Sequence, residues 1–291
     1  MLSLLTNISR DTPVLIAGPT ASGKSALAMA IAKTQGGRII NADALQVFSC
    51  WQALSARPGD ADLAVCEHAL YGHVPYAQTY STGQWLREIT PLLNGPRPII
   101  VGGTGLNFTA LTEGLATIPP IPEDIRAHAR QMTLTGMLDA LDQDTKNGID
   151  VANPARVRRA FEVQRATGQS IRIWQQKTPP PLLPLSNACA IVLDAPKEWL
   201  TPRIEKRFDL MLEAGALDEA RALLDDWDES LPASKAIGGP ELIAYLRDEI
   251  SLETAKSRAY IATRQYAKRQ RSWFRVRMKS WTGISAAEML L

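Results

Sequence analysis

A glycine-rich segment near the start of the chain has the residue types needed to hold a phosphate group. It reads Gly18-Pro19-Thr20-Ala21-Ser22-Gly23-Lys24-Ser25, with the spacing G-x-x-x-x-G-K-S. The glycines let successive backbone N–H groups turn toward an anion, and the positive end of a following helix faces the same anion. Lys24 supplies a cation and Ser25 a hydroxyl ligand for Mg²⁺. The alternative is a coincidental glycine turn, and the loop alone does not distinguish ATP, GTP or another pyrophosphate ester.

Two more polar residues follow predicted strands. Residues 13–17 form a strand that enters the phosphate loop, and residues 38–42 form a second strand that ends at Asp43. A third apolar run, 97–101, ends in a glycine-rich turn that contains Thr104. Because ligands bind outside the carboxyl ends of parallel strands, we expect Asp43, Thr104 and the loop to line one crevice. The alternatives are an Asp43 that caps a helix and a simple strand-to-helix turn at Thr104.

The order of these elements predicts an α/β fold, a parallel sheet flanked by helices. A proline-rich linker begins at residue 118, and a second one ends at residue 184, enclosing short polar helical patterns. We therefore predict a small helical insertion at 118–184 and a core domain formed by 1–117 and 185–291. A further strand at 190–194 returns the chain to the sheet, and the remainder is predicted to be helical.

Composition is that of an ordinary globular protein, with 291 residues, 45% hydrophobic residues and a net charge of +2. The chain has no apolar run long enough to span a bilayer, and its N-terminus lacks the pattern of a signal peptide. We therefore expect a cytoplasmic protein. Its three cysteines form no C-x-x-C pair, so neither a disulfide framework nor a zinc site is indicated. Nothing indicates a protein partner, and we expect a monomer.

Positive charge is concentrated near the C-terminus. Residues 256–279 contain nine Lys or Arg and no Asp or Glu, which leaves 23 basic and 30 acidic residues, a net charge of −7, elsewhere. Like charges without acidic neighbours do not stabilise a helix, so this segment is predicted to contact a polyanion. Its aromatic residues are interpreted as core positions. A second helix, 155–167, has a basic face that is either an RNA contact or a solvated surface.

Taken together, five motifs in order resemble the tRNA dimethylallyltransferase family, over about residues 13–277. They are the phosphate loop, Asn41-Ala42-Asp43 with Gln46, Gly102-Gly103-Thr104-Gly105-Leu106, Arg156-x-x-Arg159-Ala160-Phe161-Glu162-Val163 with Thr167-Gly168, and Thr263-Arg264-Gln265-Tyr266-Ala267-Lys268-Arg269-Gln270. The resemblance implies a P-loop-kinase-like fold with a helical insertion. It also implies transfer of a dimethylallyl group from dimethylallyl diphosphate to N6 of adenosine 37, beside the anticodon of tRNAs that read codons beginning with U.

The resemblance further implies residue roles. Asp43 is the general base, and Lys24, Thr104, the loop from Gly18 to Ser25 and Mg²⁺ at Ser25 hold the pyrophosphate leaving group. This loop is often interpreted as an ATP site. Implied tRNA contacts are Asp43, Ala44, Leu45, Gln46, Thr104, Arg126, Ala155, Arg156, Val157, Arg158 and Arg159, and the charge pattern adds Arg264, Lys268 and Arg271.

The chain departs from the family pattern at several positions, including Ala44 in place of Ser, Asn107, and Gly239-Pro240. These changes affect the expected tRNA contacts more than the chemistry. Three other functions remain open on the sequence: a small-molecule P-loop kinase, an adenylate isopentenyltransferase and an RNA-binding protein with a relict nucleotide site. The sequence does not identify which tRNAs are modified.

Overall fold

A computed structural model describes residues 8–289, and the chain divides into two compact units. The first unit combines Met1–Thr112 with Leu183–Leu291, and the second is Glu113–Leu182. For comparison, the predicted insertion spans 118–184. Within the described residues, no helix combines the length and the apolar character that crossing a membrane requires.

The first unit is built on a six-stranded sheet in which every pair of neighbouring strands is parallel. The strand order is β3-β2-β4-β1-β5-β6. The strands are β1 (Val14–Ala17), β2 (Arg38–Asn41), β3 (His68–Ala69), β4 (Pro98–Gly102), β5 (Cys189–Asp194) and β6 (Thr282–Ser285). All residues of β1 and β4 are buried, as expected for central strands of a sheet covered on both faces. The predicted parallel sheet flanked by helices is confirmed.

Helices cover both faces of this sheet. They are α1 (Lys24–Gln35), α2 (Asp60–Leu63), α3 (Thr82–Ile89), α4 (Gly105–Glu113), and, after the second unit, α10 (Lys197–Glu213), α11 (Ala216–Ala222), α12 (Gly239–Leu246), α13 (Leu252–Arg277) and α14 (Ala286–Met289). Because side chains alternate along a strand, Val14 and Ile16 of β1 pack against α1. Leu15 and Ala17 point the other way, toward α3, α4 and α13.

A third apolar cluster holds the segment after β2 against the C-terminal helices. Phe48 and Trp51 are fully buried there with Phe208 of α10 and Leu242 of α12. The Trp51 indole N–H donates to the backbone oxygen of Ala233 at 2.9 Å. These buried side chains keep the irregular segment in place.

The second unit is helical, as predicted for the insertion. Its helices are α5 (Glu123–Gln131), α6 (Leu134–Asp139), α7 (Gln143–Gly148), α8 (Pro154–Thr167) and α9 (Ile171–Gln176). Asn153 begins α8 by accepting hydrogen bonds from the N–H groups of Ala155 and Arg156. Met137 and Phe161 lie in the small core of this unit.

The prediction that the chain is helical after β5 is wrong at one place. Residues Thr282–Ser285 form β6, which pairs with β5 from Ile191 to Asp194. The strand is short, its first two residues are exposed and its last two are half-buried. It therefore lacks the apolar pattern that identifies a strand from sequence.

Candidate active site

The phosphate loop connects β1 to α1 in the first unit. Gly23, the residue before α1, has φ 89°, a left-handed conformation that favours glycine. Ala21 also has a positive φ, 62°, which is uncommon for a residue with a side chain. The guanidinium of Arg203 on α10 supports this strained position by donating from Nε to the Ala21 oxygen at 3.2 Å. The loop is therefore fixed from outside as well as by its own sequence.

Lys24 and Arg207 bring two cations to the same cleft. Lys24 Nζ donates to the Pro19 backbone oxygen at 3.5 Å, and protein atoms crowd around its half-buried side chain and desolvate the ammonium. This desolvation, together with the positive charge of Arg207, lowers the pKa of Lys24 to about 8, while Asp43 opposes the shift. Burial likewise lowers the pKa of Arg207, against the opposing charge of Asp43. Two crowded cations that remain short of anionic partners make a strong binding site for an anion.

The end of β2 holds Asp43 in one orientation. The buried Asn41 side chain accepts a hydrogen bond from the Asp43 backbone N–H at 2.8 Å. Its amide nitrogen donates to the backbone oxygens of Asp43 and Leu70, each at 3.0 Å. The indole N–H of Trp85 donates to the backbone oxygen of Asn41 at 2.7 Å. Asp43 Oδ1 accepts from the Leu45 N–H at 2.9 Å. One carboxylate oxygen thus stabilises the turn, and the other is the oxygen available for chemistry.

Thr104 is tied directly to the Asp43 turn. Its Oγ1 accepts from the Ala44 N–H at 2.9 Å, and its own N–H donates to the Ala42 oxygen at 3.3 Å. Gly102 makes this approach possible, because a Cβ there would lie 2.3 Å from backbone atoms of Ala42. The structure therefore brings together Lys24, Asp43 and Thr104, the three residues predicted to be catalytic.

Lys24 and Asp43 line a cleft that opens to solvent. Thr20, Lys24, Ser25, Asp43 and Gln46 line its polar side. The cleft also has an apolar lining, which consists of Leu45, predicted as a tRNA contact, and six residues that were not predicted as site residues: Leu54, Ile204, Phe208, Met211, Ala236 and Ile237. The cleft can thus hold an anion beside a small apolar group.

Sequence reasoning missed Arg207 and Tyr266, which both line this cleft. Arg207 Nε is buried and has no hydrogen-bond partner within residues 8–289. A signal for it existed, because Arg207 interrupts an apolar face of α10 that contains Leu200, Ile204 and Phe208. Burial and the nearby Asp43 raise the pKa of Tyr266, so its phenol is neutral at physiological pH.

Gln46 is held by the segment that follows it. Its Nε2 donates to the backbone oxygens of Ser55 at 2.9 Å and Ala56 at 3.1 Å. These bonds use the amide nitrogen of Gln46 and leave its amide oxygen to accept a hydrogen bond from a ligand. Ala44 is exposed beside it and Leu45 is half-buried in the cleft wall.

The basic helix α13 forms a groove of about 940 Å³ with α10. Arg264, Lys268 and Arg271 line it together with Lys197. Arg264 forms an ion pair with Glu205 of α10 at 2.8 Å, whereas Lys268 is exposed. Lys256 is also paired, with Asp209 of α10 at 3.0 Å. The charge of the helix is therefore partly neutralised by α10, and the free positive charge lies toward its C-terminal half.

In the second unit, the predicted contact residues separate into two groups. Ala155, Arg156 and Arg158 are exposed on α8, but Val157 is fully buried in the core. Val157 therefore holds the helix in place and presents no side chain at the surface. Burial lowers the pKa of Arg159, and the neighbouring Arg126 adds to this effect while Glu162 opposes it.

The chain is similar to known proteins over nearly its whole length. A family model described as IPP transferase matches residues 46–277, and one described as isopentenyl transferase matches residues 12–70. A tRNA dimethylallyltransferase of Dinoroseobacter shibae is 58% identical over 286 residues, covering 96% of this chain and 97% of that protein. One of Roseobacter denitrificans is 60% identical over 273 residues, covering 94% and 98%.

Solved structures agree with these matches. The tRNA isopentenylpyrophosphate transferase of Bacillus halodurans superposes with a TM-score of 0.68 at 28% identity, covering 95% of this chain and 90% of that one. A eukaryotic dimethylallyltransferase acting on tRNA has a TM-score of 0.80 at 23% identity, covering 94% and 73%, and this likeness concerns the fold. The extent and identity of the matches show that the chain belongs to the tRNA dimethylallyltransferase family of prenyltransferases.

Proposed function

We propose that this protein transfers the dimethylallyl group of dimethylallyl diphosphate to N6 of adenosine 37, beside the anticodon of tRNAs that read codons beginning with U. The observation that carries the proposal is a single cleft that combines paired cations, a fixed carboxylate and an apolar wall. The paired cations suit an anionic leaving group, the carboxylate suits a weakly basic amine, and the apolar wall suits a hydrocarbon.

The phosphate loop, Lys24 and Arg207 bind the diphosphate. When the bond between the allylic carbon and oxygen breaks, its electron pair leaves with pyrophosphate, and negative charge grows there. Cations and backbone N–H groups already oriented toward that position stabilise the developing charge without reorganising. The hydroxyl of Thr104, which accepts from the Ala44 N–H in the Asp43 turn, donates to the bridging oxygen of the diphosphate.

Asp43 acts on the nucleophile. The lone pair of the adenine amine is delocalised into the ring, so the amine attacks well only if its proton is removed as the bond forms. N6 gains a bond to carbon, and the proton passes to the Asp43 oxygen that does not accept from Leu45. The apolar side chains of Phe208, Met211 and Ile237 are suited to contact the dimethylallyl group during this step.

Mg²⁺ fits the donor set of the cleft. Ser25 offers a hydroxyl oxygen at the start of α1, and Mg²⁺ in phosphate sites needs only one or two protein oxygens beside phosphate and water. Residues 8–289 contain no cluster of three His, Cys, Asp or Glu side chains arranged for a metal. Ser25 would therefore hold Mg²⁺ together with the substrate, and the ion would neutralise charge on the diphosphate.

The tRNA is bound by basic surfaces. The target adenine must leave the stacked anticodon loop to reach a cleft of this kind. Asp43, Ala44, Leu45, Gln46 and Thr104 are the contacts proposed for the adenine, with Gln46 orienting the base. Lys268 and Arg271 of α13 are proposed to contact phosphates, and the second unit contributes Arg126 and the exposed side of α8.

The test is a single-turnover transfer from radiolabelled dimethylallyl diphosphate to unmodified tRNA, with Mg²⁺ and without ATP. Label should enter the tRNA and should be absent when adenosine 37 is replaced by guanosine. Label in added AMP but not in tRNA would favour an adenylate isopentenyltransferase. No label in either acceptor, with phosphate transfer from ATP to a small alcohol, would favour a kinase.

A further inference from the structure

Gln270 connects two loops of the active site from the buried side of α13. Its side chain is only 5% exposed. Its Oε1 accepts from the N–H of Thr20 in the phosphate loop at 2.9 Å, and its Nε2 donates to the backbone oxygen of Gly103 at 3.0 Å. Thr20 follows β1 and Gly103 follows β4, and these strands are neighbours in the sheet.

A primary amide is the group that suits both partners. A backbone N–H can only donate and a backbone carbonyl can only accept, so the bridging side chain must carry one acceptor and one donor at its end. The fit is close, since a Cβ at Gly103 would lie 2.2 Å from the Gln270 nitrogen. The same Cβ would lie 3.3 Å from Asp43 Oδ2, which shows how near the amide is to the proposed base.

The bond from the Thr20 N–H to Gln270 also constrains the phosphate loop. Because this N–H donates to Gln270, the bond fixes the shape of the loop at Thr20. Tyr266, one turn earlier on α13, lies near Thr104 and Gln270 and lines the cleft. The buried side of α13 is thus bonded to the phosphate loop and to the turn that contains Thr104.

We propose that Gln270 is a positioning residue, which holds the phosphate loop at a fixed distance from the Gly103 turn so that bound diphosphate faces Thr104 and Asp43. The inference rests on the proposed function, because it assumes the prenyl-transfer reaction. The position of the phosphate loop also affects the binding of pyrophosphate alone. Gln270 touches no reacting atom in this account.

The test compares Gln270→Met, which keeps the length and packing of the side chain, with Gln270→Asn, which keeps the amide but is too short to reach both partners. Gln78→Met, at an exposed position outside the cleft, is the matched control. Loss of about one hydrogen bond's contribution corresponds to about a tenfold rise in KM for dimethylallyl diphosphate and in Kd for magnesium pyrophosphate. The Kd for tRNA should stay close to that of the wild type, and the melting temperature of Gln270→Met should fall because the Thr20 N–H and the Gly103 oxygen lose their partner.

The outcomes separate the two claims. Unchanged KM and unchanged pyrophosphate affinity in Gln270→Met, or a Gln270→Asn variant equal to wild type, would overturn the positioning role. A loss of tRNA affinity as large as the loss of pyrophosphate affinity would show that Gln270 only stabilises the helix, and would also overturn the positioning role. If the wild type transfers no prenyl group, the proposed function fails, and pyrophosphate titration still decides the role of Gln270.

Discussion

Arg207 lies close enough to Lys24 for its positive charge to help lower the pKa of the lysine to about 8. Both side chains line the same cleft, one from the phosphate loop and the other from α10. Repulsion between them is relieved when an anion binds between them. In the proposed function, the diphosphate is the anion that offsets this repulsion.

This relationship predicts the pH dependence of the reaction. Lys24 is cationic below its pKa and neutral above it, so kcat/KM for dimethylallyl diphosphate should fall as pH rises through about 8. Replacing Arg207 by Gln removes the neighbouring charge and should move this decline to higher pH. Steady-state rates with saturating tRNA and fixed Mg²⁺ measure both profiles, and identical alkaline limbs in the two proteins would contradict the coupling.

Arg207→Gln should also weaken diphosphate binding. Loss of one charge-assisted contact corresponds to roughly 1.5–3 kcal/mol, or about a ten- to hundredfold rise in KM. Arg221→Gln provides a control, because Arg221 lies on α11, outside the cleft, and is paired with Asp218. Titration with pyrophosphate measures the change directly, and equal affinities in the two variants would remove Arg207 from the binding site.

Individual charges on α13 should contribute unequally to tRNA binding. Lys268→Gln should weaken binding and reduce the slope of log Kd against log salt by about one phosphate contact. Arg264→Gln should have a smaller effect, because Arg264 is already paired with Glu205. Filter binding of tRNA across a salt series distinguishes them, with Arg221→Gln again as the control. Slopes that all match wild type would exclude the helix from the RNA interface.

Glu219 should stabilise the wall of the cleft. Its carboxylate accepts hydrogen bonds from the N–H groups of Gln52 at 2.9 Å, Ala53 at 2.6 Å and Leu54 at 3.0 Å. Glu219→Ala leaves these N–H groups without their charged acceptor and should cost about 2–4 kcal/mol of the free energy of unfolding. Urea denaturation measures this cost.

Glu213→Ala, at an exposed position on α10, should change the stability by less than about 0.5 kcal/mol and is the control for that measurement. Equal stabilities of the two variants would show that the carboxylate of Glu219 is not needed by the turn.

The sequence was sufficient for the central part of this site and insufficient for its C-terminal side. The phosphate loop, Asp43 and Thr104 follow strands whose apolar runs are visible, and parallel topology then brings their ends together. Arg207 and Gln270 depend instead on how α10 and α13 pack on distant loops, which local patterns do not encode. Val157 lies in a motif predicted to contact tRNA, but its side chain is fully buried, because the same motif also contributes residues to the core of the second unit.

The central claim is that Asp43 removes the proton of the attacking amine. Its most direct test measures the single-turnover transfer rate and the tRNA Kd of Asp43→Ala side by side with the wild type. The account predicts that transfer is abolished while tRNA affinity and pyrophosphate affinity remain nearly unchanged. A variant that still transfers at a rate near wild type, or one that loses binding and turnover equally, would contradict the assignment of Asp43 as the general base.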